Sequence, residues 1–275
     1  MIRIVTDSAS MIPPALRHRF DVIVVAMTVT VDGEEHHEGH DLSSADFYAR
    51  LAAGAIVTTS APSPGAFLTA YRQAARQGAH HVLSIHTGSN YSATVSAATI
   101  AADNADVAVS VIDTQLASFP VALCLWAAGD ALAAGQTITA AADIARSTAA
   151  QTGSVFVVGV PELARRGGRF VAVTGEIAPT SILELDAAGM RELYRADDIQ
   201  AAVDLMAHHV RTIAARQPLR AGIGDALRPT VAAALADRLA GSPGIVELTR
   251  YEVGPSVGAH TGAGTIGIVY APVVD

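Results

Sequence analysis

The sequence predicts an α/β protein of two domains: a doubly wound, mainly parallel sheet first, then an α/β domain with a mixed sheet. Three observations predict it. Strand-like and helix-like segments alternate through the first half, the pattern of a parallel sheet covered by helices on both faces. A hairpin pattern, "SILELDAAGMRELYRA", interrupts that alternation in the second half. The chain has 275 residues, 51% hydrophobic and 16% charged, enough apolar material for two cores. The boundary is expected near residue 152, giving domains 1–151 and 152–275.

Each element follows from local chemistry. "IRIVTDSA" is a short apolar strand ending in Thr6-Asp7-Ser8. "VIVVAMTVTV" reads as one continuous β-branched strand buried on both faces. "LSSADFYARLAAG" reads as a helix with Ser43 as N-cap and Asp46 three residues on. "TTSAPSPGAF" reads as a polar loop entering the helix "AFLTAYRQAARQG". "HHVLSIHTG" and "VAVSVIDT" are strands around the helix "YSATVSAATIAADNA". Two Ala-rich helices follow, near 118–134 and 138–151. In the second half, "GSVFVVGVPEL" opens with a strand, and the hairpin turns around Asp186 to Gly189. "DDIQAAVDLMAHHVRTIAARQ" is a long amphipathic helix with acid at its start, which suits the helix dipole. The strand "RAGIGDA" and the helix "RPTVAAALADRLAG" come next, with Pro229 in that helix's first turn. "GIVELTRYEVG" and "TIGIVYAPVV" are the last strands.

The composition excludes several functions. A formal charge of −8 argues against nucleic-acid binding. All 18 basic residues are arginine, so a Schiff-base lysine or P-loop lysine is impossible. Anions must be held by Arg, His, hydroxyls or backbone N–H groups. No apolar run is long enough to span a bilayer and the N-terminus lacks the pattern of a signal peptide, so a cytoplasmic protein without an integral membrane segment is expected. Cys124, in "VALCLWAAG", reads as a small core residue.

Three segments carry candidate chemistry. "EEHHEGHD" offers His36, His37 and His40 among carboxylates, but the spacing fits no metal motif, so no metal site is expected and a solvated loop is the better reading. The pairs at His80-His81 and His208-His209 read as equally plain. The hydroxyl-rich turns are more informative. "TDSAS", "TTSAPSP" and "HTGSNYSAT" are all expected at the carboxyl ends of parallel strands, where a doubly wound sheet binds its ligands. Thr59, Ser60, Ser89, Ser92 and Thr94 then face one crevice. With helix-start N–H groups they suit a small anion. The plainer alternative is that each hydroxyl caps its own helix. A nucleophilic serine is a separate class: it would use Ser89 or Ser92 with His86 as base, but no Gly-x-Ser-x-Gly elbow is present. "VGAHTGAGTIG" reads as a glycine turn carrying His260.

Taken in order, these segments resemble the DegV family. "IVTDSAS" is similar to its Thr-Asp-Ser turn, "TTSAPSPGAF" to its Thr-Thr-Ser-x-Pro-Ser segment, and "SNYSATVSAA" to its Ser-x-Leu-Ser-Gly-Thr-x-x-Ser-Ala pattern. "VIDTQLAS", "VPELARRGGRF" and "GAHTGAGTIG" resemble its Val-Ile-Asp-Ser-x-x-x-Ser, Leu-x-x-Leu-x-x-Gly-Gly-Arg and His-x-Gly-Pro-Gly stretches. Five departures stand out: Gly88 where a second serine is common, Tyr91 for leucine, Ala93 for glycine, Ala263 for proline, and no glycine in "SFPVAL".

The resemblance implies a DegV-like fold of two α/β domains with a long-chain fatty acid as ligand and no other cofactor. Its acyl chain would lie in an apolar tunnel of the first domain. Its carboxylate would be held by Thr59, Ser60, Ser89 and Ser92, with Thr94 beside them. The chain would then be a carrier rather than an enzyme. A dihydroxyacetone-kinase-like fatty acid kinase would phosphorylate the bound carboxylate, with His260, Arg169 and Arg195 facing the phosphoryl group or the kinase. Two alternatives stay open: a serine-dependent acyl hydrolase or transferase, and a lipid-sensing module with no kinase partner.

Overall fold

The computed structural model describes residues 1–166 and 178–273. The chain opens with β1 (Ile2–Asp7), a 3₁₀ turn at Ser8–Ser10 and α1 (Pro14–Arg19). Next come β2 (Ile23–Val25), β3 (Thr28–Val31), β4 (Glu34–His37), α2 (Ser44–Ala52) and β5 (Val57–Ser60). α3 (Pro64–Arg76), β6 (His81–His86), α4 (Thr94–Ala102), β7 (Ala108–Asp113), α5 (Phe119–Ala133) and α6 (Ile138–Gln151) follow. The remainder is β8 (Gly153–Val157), α7 (Pro161–Arg166), the hairpin β9 (Ser181–Asp186) and β10 (Gly189–Arg195), and α8 (Ile199–Ala214). Then come β11 (Leu219–Asp225), α9 (Pro229–Leu239), β12 (Ile245–Glu252), α10 (Pro255–Thr261) and β13 (Ile266–Pro272).

Contacts divide the chain into one unit of Met1–Ser43 with Ile56–Ala149 and another of Ser44–Ala55 with Ala150–Asp275. A single cut at residue 152 keeps α2 with the first unit; the contacts place it with the second. The reason is Tyr48, fully buried, whose hydroxyl donates to the Val253 carbonyl at 2.8 Å. Gly258 lies against the same phenol, so α2 is tied to the start of α10.

In the first unit a four-stranded parallel sheet runs β2-β1-β6-β7. The side-chain period of two sorts each strand between two helical layers. Ile4, Leu83, Ile85 and Ile112 pack against Val121, Cys124 and Leu125 of α5 and Ala141 and Ala145 of α6. Val5, Val25 and Val82 pack against Phe67, Tyr71 and Ala74 of α3 and Ala97, Ala98 and Ala101 of α4. Burying each large aliphatic side chain contributes about 1.5–3 kcal/mol. Cys124 is fully buried; its thiol meets the Pro120 carbonyl at 3.3 Å, and burial pushes its pKa up to about 12.

"VIVVAMTVTV" is not one strand. It breaks at Ala26-Met27 into β2, in the parallel sheet, and β3, the centre of a separate antiparallel sheet ordered β4-β3-β5. "EEHHEGHD" is likewise not a plain loop: Glu34–His37 form the edge strand β4.

The second unit holds a six-stranded mixed sheet ordered β10-β9-β8-β13-β11-β12, in which only β11 and β12 are parallel. α8 and α9 cover one face through Val203, Met206, Val210, Ala232 and Leu235. Asp198 caps α8, accepting from the Ala201 N–H at 2.8 Å.

Candidate functional site

The turn between β6 and α4 is held by a dense set of hydrogen bonds. The Gly88 carbonyl accepts from the N–H groups of Tyr91 (2.9 Å) and Ser92 (3.1 Å), which curls the chain. The neighbouring turn after β7 is laced to it. Gly88 N–H donates to the Leu116 carbonyl at 2.7 Å, and Asn90 Nδ2 donates to the Gln115 carbonyl at 3.2 Å. A Cβ at residue 88 would collide with the Gln115 backbone, which stands at φ +57°. This explains the glycine where the family pattern has serine: the second turn approaches too closely for a side chain.

The predicted hydroxyls separate into different environments. Ser92 Oγ and Thr94 Oγ1 are hydrogen-bonded at 2.7 Å, and buried Thr94 reaches the Met27 sulfur at 3.8 Å. Neither caps α4, whose N-cap position is Ala93 with no side-chain cap. By contrast, Ser63 does cap its helix, accepting from the Ala66 N–H at 3.2 Å. Ser89 is exposed; its hydroxyl accepts from Gln115 Nε2 at 2.9 Å and its N–H donates to Asp113 at 3.1 Å.

Thr59 and Ser60 correct the sequence reading. They lie within the antiparallel strand β5, not in a loop at the end of a parallel strand. Ser60 sits opposite Thr28 in the register, and Thr28 follows Met27, whose sulfur touches Thr94. The start of β3 therefore bridges the Thr-Thr-Ser strand and the Ser92–Thr94 pair.

Sequence reasoning missed a polar chain beneath this turn. β1 and β6 pair with Val5 beside Ser84, so two residues further on Asp7 is level with His86. Both are fully buried. Asp7 Oδ2 lies 3.0 Å from His86 Nδ1 and accepts from the Thr87 N–H at 3.0 Å. Asp7 Oδ1 accepts from the Thr87 hydroxyl at 2.8 Å. His86 Nε2 meets Ser84 Oγ at 2.6 Å and Ser84 Oγ meets the Tyr71 hydroxyl at 2.9 Å, with the Ala98 carbonyl 3.3 Å from the same hydroxyl. Burial pushes the Tyr71 phenol up to about 12, opposed by its Ser84 bond. The Phe67 ring stands edge-on to the imidazole, 4.9 Å between centroids. The only signal in the sequence was the matched polar ending of "IRIVTD" and "HVLSIH".

This arrangement bears on the serine-enzyme alternative. His86 faces Asp7 and Ser84 rather than Ser89 or Ser92. Ser84 itself is fully buried, so the acid–histidine–serine geometry has no access for substrate.

Two of the remaining predicted residues, His260 and Arg195, lie in α10 and β10 of the second unit. His260 is half-buried and sits inside α10, not in a glycine turn; Gly262, at φ +78°, ends that helix. α10 packs against α7. Arg169 lies outside the described residues. Arg195 ends β10 and pairs bidentately with Glu192, its Nε 2.9 Å from Oε1 and its Nη2 3.1 Å from Oε2. Among the described residues no group of three or more His, Cys, Asp or Glu is arranged to hold a metal ion. No helix among them is long and apolar enough to cross a membrane.

The DegV family profile, described as uncharacterised proteins of that family, matches residues 1–273. The chain belongs to the DegV family. A DegV domain-containing protein of Streptomyces coelicolor is 32% identical over 273 residues, covering 98% of this chain and 97% of its own. A DegV family protein from Thermus thermophilus, whose structure is described as binding fatty acid, is 30% identical with a TM-score of 0.85, covering 98% and 99% of the two chains. DegV of Bacillus subtilis, described as a fatty acid binding protein, shares the fold at a TM-score of 0.88 and 23% identity, covering 98% and 99%. The mixed α/β architecture is thus the DegV fold.

Proposed function

We propose that this DegV protein binds a long-chain fatty acid and holds its carboxylate at the Ser92–Thr94 turn. The observation that carries the reading is an α-helix start with two hydroxyls beside it and no side-chain cap of its own. First-turn N–H groups and the helix dipole favour an anion. Hydroxyl donors lower the cost of burying a carboxylate without fixing it in an ion pair. The fatty-acid-binding Thermus thermophilus relative, 30% identical, supports the class of ligand. An acyl chain in an apolar tunnel of the first unit contributes about 0.8 kcal/mol per buried methylene. Thr59 and Ser60 of β5 and Ser89 complete the proposed carboxylate group.

The finer reading is that of a cytoplasmic carrier, not a catalyst, presenting the carboxylate to a dihydroxyacetone-kinase-like partner that forms the acyl phosphate. His260, Arg169 and Arg195 would face the phosphoryl group or that kinase. Mass spectrometry of lipid extracted from gently purified protein tests the first step: a stoichiometric long-chain fatty acid is expected, and none would count against the proposal. Ser92→Ala is expected to weaken palmitate binding about tenfold, the scale of one hydrogen bond to a charged group. His260→Ala is expected to leave binding intact and slow phosphorylation by the kinase; equal rates would remove His260 from that step.

A further inference from the structure

We infer that Asp7 and His86 are positioning residues for the hydroxyl turn: a buried carboxylate–imidazole pair that fixes where the turn leaves β6. The inference uses the fatty-acid reading for its ligand, but its first test needs no ligand. The turn is gripped from both neighbouring strands. Asp113, ending β7, accepts from the Ser89 N–H at 3.1 Å. Asp7, ending β1, accepts from both the N–H and the hydroxyl of Thr87. Thr114, after β7, donates to the His86 carbonyl at 2.8 Å. Four residues separate the Thr87 clamp from Ser92, and Gly88 and Asn90 fasten that span to the Gln115–Leu116 turn.

Asp7 sets the tautomer of His86. Nδ1 donates to the Asp7 carboxylate, so Nε2 accepts from Ser84. Ser84 then accepts the single proton of Tyr71, which stems from α3, and the chain ends at that phenol. The chain therefore joins β1, β6 and α3, the helix that follows the Thr-Thr-Ser strand. In a buried setting each bond polarises the next. The imidazole, the Thr87 N–H and the Thr87 hydroxyl together hold Asp7 in place.

Four variants of the full chain test this: Asp7→Asn, His86→Leu, His86→Asn and Ser84→Ala. Asp7→Asn keeps one acceptor oxygen for three donors, and His86→Leu removes the imidazole donor. In both, amide hydrogen exchange over residues 87–92 is expected to accelerate about tenfold, and palmitate affinity to fall about tenfold. His86→Asn retains an N–H toward Asp7 and is expected to restore both to within about threefold of wild type. Ser84→Ala lowers stability from the far side of the imidazole and is expected to leave the turn's exchange unchanged. Ring ¹⁵N shifts of wild-type His86 are expected to report the Nδ1–H form. An Nε2–H form, a failure of His86→Asn to rescue, or turn exchange and affinity that follow melting temperature alike in all four variants would each overturn the inference. If wild type binds no palmitate while exchange behaves as expected, the positioning role stands and the fatty-acid reading falls.

Discussion

Each unit of this DegV protein contains a carboxylate–histidine–phenol cluster, and the two are built differently. In the first unit Asp7, His86, Ser84 and Tyr71 are fully buried, and the carboxylate meets an imidazole, a backbone N–H and a hydroxyl. In the second, Glu184 of β9 meets His209 of α8 at 3.1 Å and Arg191 of β10 at 2.5 Å. His209 also approaches Tyr270 at 3.4 Å, and the Tyr194 ring stands edge-on to it at 6.4 Å. Burial pushes the Tyr270 phenol up, assisted by the charges of Glu184 and Asp186 and opposed by Arg191. Arg191 keeps 47% of its side-chain exposure, so this cluster has an outlet to water that the first lacks. A sealed chain must satisfy every donor internally; a chain at a sheet edge can hand a lost bond to solvent.

Breaking the sealed chain should therefore cost most. Asp7→Ala leaves the imidazole, the Thr87 amide and the Thr87 hydroxyl without their acceptor, and is expected to lower stability by about 3 kcal/mol or more in urea unfolding. Glu184→Ala is expected to cost about 1–2 kcal/mol, since Arg191 can turn to water. A loss as large as that of Asp7→Ala would erase the distinction between the clusters.

The same comparison has a pH dependence. Burial lowers the His209 pKa, against the opposing pull of Glu184; Arg191 and His208 add to the lowering. The unfolded chain then binds more protons than the folded one below the ordinary histidine pKa of about 6.5. The His209 contribution to stability is full above that pH and declines as pH falls beneath it. Glu184→Ala, which removes the opposing pull, is expected to steepen that decline in melting temperature measured from pH 7 to 5 (expected window, about one unit either side of 6). An unchanged slope would remove His209 from the effect. The smallest expected change is at the α3 cap: Ser63→Ala should cost about 1 kcal/mol by thermal unfolding and leave palmitate binding unchanged.

Much of the fold was legible in the sequence because its signals are local. The hairpin declared itself by the polar turn at Asp186–Gly189, and the Ala-rich α5 and α6 by length and composition. The break at Ala26-Met27 was not legible, since both halves of "VIVVAMTVTV" are β-branched and only their different pairing partners, β1 before them and β5 after them, separate the two. Thr58-Thr59-Ser60 read as a loop because hydroxyls and prolines favour turns, yet pairing with β3 makes a strand of them. Around His260 the glycines hid a helix, although Pro255 at its first turn and Gly262 after its end were both readable signs. At the candidate site, the hydroxyls were found by type, whereas the Asp7–His86 pair required the β1–β6 register, a contact across 79 residues.

The order of the second sheet has a consequence for synthesis. β13 lies between β8 and β11, yet it follows every other strand in the chain. Until it forms, β10-β9-β8 and β11-β12 are two separate ribbons, each with an open apolar edge where Val155 and Ile223 await Ile268. Such edges are templates for mispairing. A nascent chain carries this hazard from the synthesis of β8 until β13 is complete, and a truncation before Ile266 makes it permanent.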